Sequence, residues 1–188
     1  MPVRVFIAVD VEDPVIVARL DRVKDALLAT GAPLKPVESH NYHLTIRFIG
    51  EVDEPVVGEI SREVLDTLEF NRFKIRLHGL GAFPTPARPR VIWVGVVEGA
   101  EELKSLHNSV EDRLRRLGFK PEGRGFEPHL TIARVKGSRN IHAVVKILRE
   151  FEDHDFGWMT VERVRLKKSI LTPRGPIYET LHEATAHG

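Results

Sequence analysis

The tetrapeptide His-Leu-Thr-Ile stands at residues 43–46 and again at residues 129–132. Imidazole gains and loses a proton near neutral pH, and a threonine hydroxyl can donate a hydrogen bond to a developing oxyanion. One histidine is half of an acid–base pair, and two could supply both an acid and a base. Each copy lies in an apolar, β-branched run that reads as a strand, where side chains alternate faces. His43 and Thr45 therefore project together, with Leu44, Ile46 and Phe48 on the other face, and His129 and Thr131 pair in the same way. A single His-x-Thr is weak evidence, because a histidine at a strand start is often only a hydrogen-bonded surface group. Recurrence of the whole tetrapeptide in two strand contexts favours chemistry over that plainer reading. No two of the nine histidines stand four residues apart. The motifs also offer threonine where a ligand would stand, so neither a metal nor another cofactor is expected.

The chain that must position these residues has 188 amino acids, 42% of them hydrophobic and 29% charged, which describes a globular protein with room for a substantial core. No apolar stretch approaches a bilayer's thickness, and the first ten residues read as a strand rather than a leader. Absence of cysteine excludes thiolate catalysis and disulfides and is in keeping with a cytoplasmic location. A net charge of +1 gives no global field for polyanions, so any nucleic-acid contact must be local. Periodicity and breakers predict a strand near the N-terminus, then a helix capped by Asp13 and stopped by Gly31. After the first motif strand come a helix over 53–68 and a strand near 73–78 with a basic outer face. Residues 79–90, rich in proline and glycine, read as a loop. A strand at 91–97, a helix over 101–117, a glycine-containing loop, the second motif strand, a helix over 140–151 and strands at 159–171 and 177–184 complete the order. Two helix-flanked motif strands at similar places argue for an α+β duplication with two sheets facing across a groove.

With these residues in place, the chain closely resembles the 2H phosphoesterases, defined by paired His-x-Thr/Ser motifs. Within them it looks like the RNA 2′,3′-cyclic phosphodiesterases, once named 2′-5′ RNA ligases. The likeness runs from Arg4-Val5-Phe6-Ile7-Ala8 through Phe48-Ile49-Gly50-Glu51-Val52, Gly81-Ala82-Phe83 and Pro89-Arg90-Val91-Ile92-Trp93 to Pro128 and the closing Gly175-Pro176-x-Tyr178 turn. The resemblance implies a single bilobal domain over residues 1–188. Its lobes are pseudo-symmetric, each an antiparallel sheet with helices on its outer face, and the active-site cleft lies between them. It also implies metal-independent hydrolysis of a terminal 2′,3′-cyclic phosphate to a 2′-phosphomonoester, with His43 as general acid and His129 as general base. Thr45 and Thr131 would donate to the phosphate oxygens, and by the same resemblance Arg134 would hold the phosphate. Strict alternation places Arg134 on the face opposite His129, so it serves only if the strand bulges, twists or ends there. Arg47 has the correct parity and is a second candidate.

RNA beyond the phosphate is commonly held by aromatic stacking and cationic contact with the backbone. Phe83 with Arg88 and Arg90 in one loop, and Arg124 with Phe126 in another, offer both, although loop phenylalanines more often cap a core. The expected partners are RNA ends carrying the cyclic phosphate, tRNA fragments or nucleotides among them, with no membrane and a monomeric protein. Ligation of 2′-5′ linked RNA, the reverse reaction, is one alternative. A non-catalytic module binding RNA ends or nucleotides is another.

Overall fold

The computed structural model describes residues 1–123 and 125–188. Among the described residues, nine strands form two antiparallel sheets. The first has the order β3-β1-β8-β9, from β1 (Pro2–Asp10), β3 (His43–Asp53), β8 (Arg163–Thr172) and β9 (Gly175–Thr185). The second runs β2-β6-β5-β4-β7, from β2 (Leu34–Pro36), β6 (His129–Val135), β5 (Arg88–Val96), β4 (Phe73–Thr85) and β7 (Asp155–Val161). This is the α+β architecture the sequence implies, with one motif strand in each sheet. Where the sheets meet, β3 packs against β6.

The helices are α1 (Pro14–Leu28), α2 (Glu54–Ile60), which continues as a π-helical turn over Ser61–Leu65, α3 (Ala100–Arg116) and α4 (Ile141–Glu150). Helix α1 starts because Asp13 accepts from the Val15 and Ile16 amides beside Pro14. It buries Ile16, Leu20, Val23 and Leu27, and packs with α4 on the second sheet. Helix α3 packs on the first sheet beside α2 and its extension. Each of the two long helices thus follows a strand of one sheet and covers the other. The inward residues Val3, Val5, Ile7 and Val9 of β1 join Ile92 and Val94 of β5 in one buried apolar cluster.

Two expected boundaries are corrected. Residues 79–90 are not a loop: β4 runs on to Thr85 and turns directly into β5 at Arg88. The prolines fit because Pro84 and Pro89 face each other near the hairpin end. Gly81 is required by its register partner Trp93, whose indole occupies the space a Cβ at 81 would need. The strand expected over 159–171 is two strands in different sheets, β7 and β8, with the crossover at Glu162.

Candidate active site

Both motif histidines are built alike. The Nδ1 of His43 lies 2.8 Å from the carbonyl oxygen of Asn41, and that of His129 lies 2.8 Å from the carbonyl of Glu127. A carbonyl can only accept, so each Nδ1 carries the proton and donates it, and Nε2 becomes the nitrogen free to trade protons. Two aromatic rings hold each imidazole. Phe6 and Tyr178 stand 5.1 and 5.3 Å from His43, the tyrosine edge-on, while Phe83 and Trp93 stand 5.1 and 6.4 Å from His129. Both rings are half-buried, Thr131 is half-buried and Thr45 is exposed.

Burial pushes the His43 pKa below its ordinary value. The bond to the Asn41 carbonyl and the charge of Asp10 act the other way, while Lys167 and His129 lower it further. The two histidines open β3 and β6, the strands that pack against each other where the sheets meet. Asp10 is the register partner of His43, and its carboxylate accepts from Lys167 and Arg165 at 2.8 Å each.

The strand does bulge after the second motif. Trp93 pairs with Thr131 and Ile92 with Ala133, which leaves Ile132 as an extra residue. Alternation restarts there, Ala133 turns inward, and Arg134 emerges exposed on the face of His129 and Thr131. Its charge acts on Tyr178 of the other sheet, opposing the rise that burial causes in the phenol's pKa. The first motif bulges at the same place, with Ala8 paired to Thr45 and Ile7 to Arg47 around Ile46. The carbonyls freed from the ladder are both satisfied: Ile132 accepts from the Val37 amide at 2.8 Å, and Ile46 from Nδ1 of His107 at 2.9 Å.

A family model described as the 2′-5′ RNA ligase superfamily matches residues 12–169. The chain belongs to the 2′-5′ RNA ligase superfamily. A relative named RNA 2′,3′-cyclic phosphodiesterase in Aeropyrum pernix is 54% identical over 171 residues, covering 91% of this chain and 97% of the relative. One of the same name in Archaeoglobus fulgidus is 44% identical, covering 95% and 97%. Among solved structures, TT0787 of Thermus thermophilus superposes with a TM-score of 0.78 at 26% identity over 97% of each chain. Apo LigT of E. coli has a TM-score of 0.79 at 23% identity, covering 100% of this chain and 99% of that one, a likeness of fold.

Against this superfamily fold the remaining sequence candidates divide. Arg47 does not reach the cleft. The bulge at Ile46 turns it inward, where it is 6% exposed, pairs with Glu111 of α3 and donates to the Phe48 and Lys120 carbonyls. Phe48 takes the outward position instead and is 41% exposed, reversing the face that alternation assigned to it. Phe83 is at the site, edge-on to His129. Phe126 stacks on His107 at 4.4 Å and supports the first bulge rather than offering a free platform. Arg124 lies outside the described residues. Arg88 and Arg90 are exposed on β5. Three or more histidines or carboxylates placed to hold a metal ion do not occur among the described residues. Nor is any described helix long and apolar enough to cross a membrane.

Sequence reasoning missed Phe6, Trp93 and Tyr178 as supports of the two imidazoles. A signal existed for the first: parity sets Phe6 with Arg4, Ala8 and Asp10, opposite the valines of β1, so an aromatic stood on the face the motifs use.

Proposed function

We propose that the protein hydrolyses RNA ends bearing a 2′,3′-cyclic phosphate to 2′-phosphomonoesters. The observation carrying this reading is the matched anchoring of two imidazoles, each tied through Nδ1 to a carbonyl two residues upstream and each left with Nε2 free. Relatives named RNA 2′,3′-cyclic phosphodiesterase, at 54% and 44% identity over nearly the whole chain, support the substrate class. His129 takes a proton from water as its oxygen attacks phosphorus. The bond from phosphorus to the 3′ oxygen breaks, and His43 protonates that oxygen while the 2′ ester remains. The substrate's negative charge favours the protonated form of His43 that burial disfavours. Hydroxyls of Thr45 and Thr131 donate to the non-bridging oxygens, and Arg134 holds the anion from β6.

All these groups come from one chain, so we take a monomer acting on RNA ends in the cytoplasm as the working unit. Ligation is the same displacement with a 5′ hydroxyl in place of water, and it needs no further residue. A binding module would have no use for two titrating groups.

The test is a short RNA ending in a 2′,3′-cyclic phosphate, incubated with chelator and the product identified. The expected product is the 2′-monoester. His43→Ala and His129→Ala should each slow turnover by about 10²–10⁴-fold or more with the fold intact. A 3′-monoester, or full activity in either variant, would overturn the assignment.

A further inference from the structure

Arg4 stands on β1 two residues from Phe6 and so on the same face, the one that carries His43. Its register partner on β3 is Glu51, yet the two form no ion pair. The guanidinium instead lies over the Phe48 ring, 4.8 Å from its centroid. Phe48 is among the most exposed aromatic rings of the chain, held outward by the bulge at Ile46 and the second register shift of β3 beside Val5 and Phe6. Arg4 is also near enough to Tyr178 to act on its phenol together with Arg134: burial raises that pKa, and the two guanidinium charges oppose the rise. Charges from opposite sheets thus act on one tyrosine beside His43. Neither arginine has a carboxylate partner among the described residues.

We propose that Arg4 and Phe48 form a subsite for the RNA chain on the 5′ side of the cyclic phosphate, Phe48 stacking a base and Arg4 contacting a phosphodiester. The inference rests on the function proposed above and extends it from the terminal nucleotide to the polymer. Ala8 is the register partner of Thr45. Arg4 is four residues farther along β1, but its guanidinium lies over Phe48, whose register partner Phe6 is two residues from Ala8, about 7 Å at the rise of an extended strand. That offset puts the pair in the range of a neighbouring nucleotide from the phosphorus that the threonines would hold. Stacking on an aromatic ring tolerates every base, and a planar guanidinium matches phosphate oxygens in two-point contact. If the pair were only structural, it would be an exposed cation–π contact, and its loss would not distinguish between substrates.

The experiment compares 2′,3′-cyclic AMP with a trinucleotide ending in a 2′,3′-cyclic phosphate, using the wild-type protein, Arg4→Gln and Phe48→Ala. Each variant should lose at least tenfold more kcat/KM on the trinucleotide than on the mononucleotide. A second measurement follows binding of a 5′-labelled trinucleotide 2′-phosphate by anisotropy against salt. Arg4→Gln should lower the slope of log affinity against log salt by about 0.7, one phosphate contact on a single strand. Equal losses on both substrates, no loss, or an unchanged slope would overturn the subsite. Binding does not need turnover. A wild-type protein that hydrolyses neither substrate, but whose trinucleotide affinity falls with Arg4→Gln, would overturn the reaction proposed above and uphold the subsite.

Discussion

An imidazole has two nitrogens, and the one that exchanges protons is selected by what the other is bonded to. In His43 the Asn41 carbonyl makes that selection, while burial next to Phe6 and Tyr178 favours the neutral ring. The group is thus held below its ordinary value of 6.5 and uncharged near pH 7. The acid role proposed for His43 needs the proton back, and the substrate anion would supply the field for it. In histidine-selective NMR titrations, the His43 resonance should have its midpoint below 6.5 in the free protein and move upward with saturating 2′-AMP. Lys167→Met, which removes a positive charge that lowers the pKa, should raise the midpoint of the free protein. A midpoint at or above 6.5, or one indifferent to both changes, would contradict this account of His43. The sign carries over to folding. A histidine whose folded pKa is depressed adds stability above its unfolded value, and that increment is lost as pH falls towards the folded pKa.

Two bulges at the isoleucines of the repeated tetrapeptide decide which later residues share the histidine face. They send Arg134 outward on β6 and Arg47 inward on β3, although both follow the same four letters. Arg47 then acts as a clamp, joining β3 to Glu111 of α3 and to the Lys120 carbonyl, while Glu111 accepts from the Glu122 amide at 3.1 Å. Arg47→Met should cost about 3–5 kcal/mol in denaturant unfolding, since it leaves Glu111 buried without its cation. The double variant Arg47→Met, Glu111→Leu should recover much of that loss. A single variant within about 0.5 kcal/mol of the parent would show that the pair does not hold β3 to α3. These elements also mark what a sequence exposes. The motif strands were legible because Leu44, Ile46, Leu130 and Ile132 alternate with polar residues, and α1 because Asp13 and Pro14 announce its start. A bulge belongs to two strands at once, so neither the inward turn of Arg47 nor the outward turn of Phe48 could be read from β3 alone. The hairpin at 79–90 was hidden for a related reason. Gly81 reads as a breaker until Trp93 is seen opposite it, filling the space where a side chain would be.

At the scale of the molecule, each half is incomplete in two ways. The first half, β1-α1-β2-β3-α2-β4, sends β4 into the second sheet and lays α1 over it. The second half, from β5 onward, returns β8 and β9 to the first sheet and lays α3 against it. Cut between β5 and α3, near Glu98, the N-terminal piece would keep β1, β3, β4 and β5 but lose the β8 partner of β1 and the β6 and β7 partners of β5 and β4. Its core-facing valines on β1 would lose Val164 and Leu166 of β8, and β4 and β5 would lose Leu130 and Ile132 of β6. Unpaired strand edges and half-covered apolar faces do not sustain a fold of this length. Residues 1–98 and 99–188 should each lack dispersed NMR spectra and a cooperative thermal transition when expressed separately. Together they should recover both, and with them any turnover of a cyclic phosphate, because His43 and His129 come from different pieces. A cooperative transition in either fragment alone would mean that each half of the chain folds by itself and that the strands exchanged between the sheets are not needed for stability.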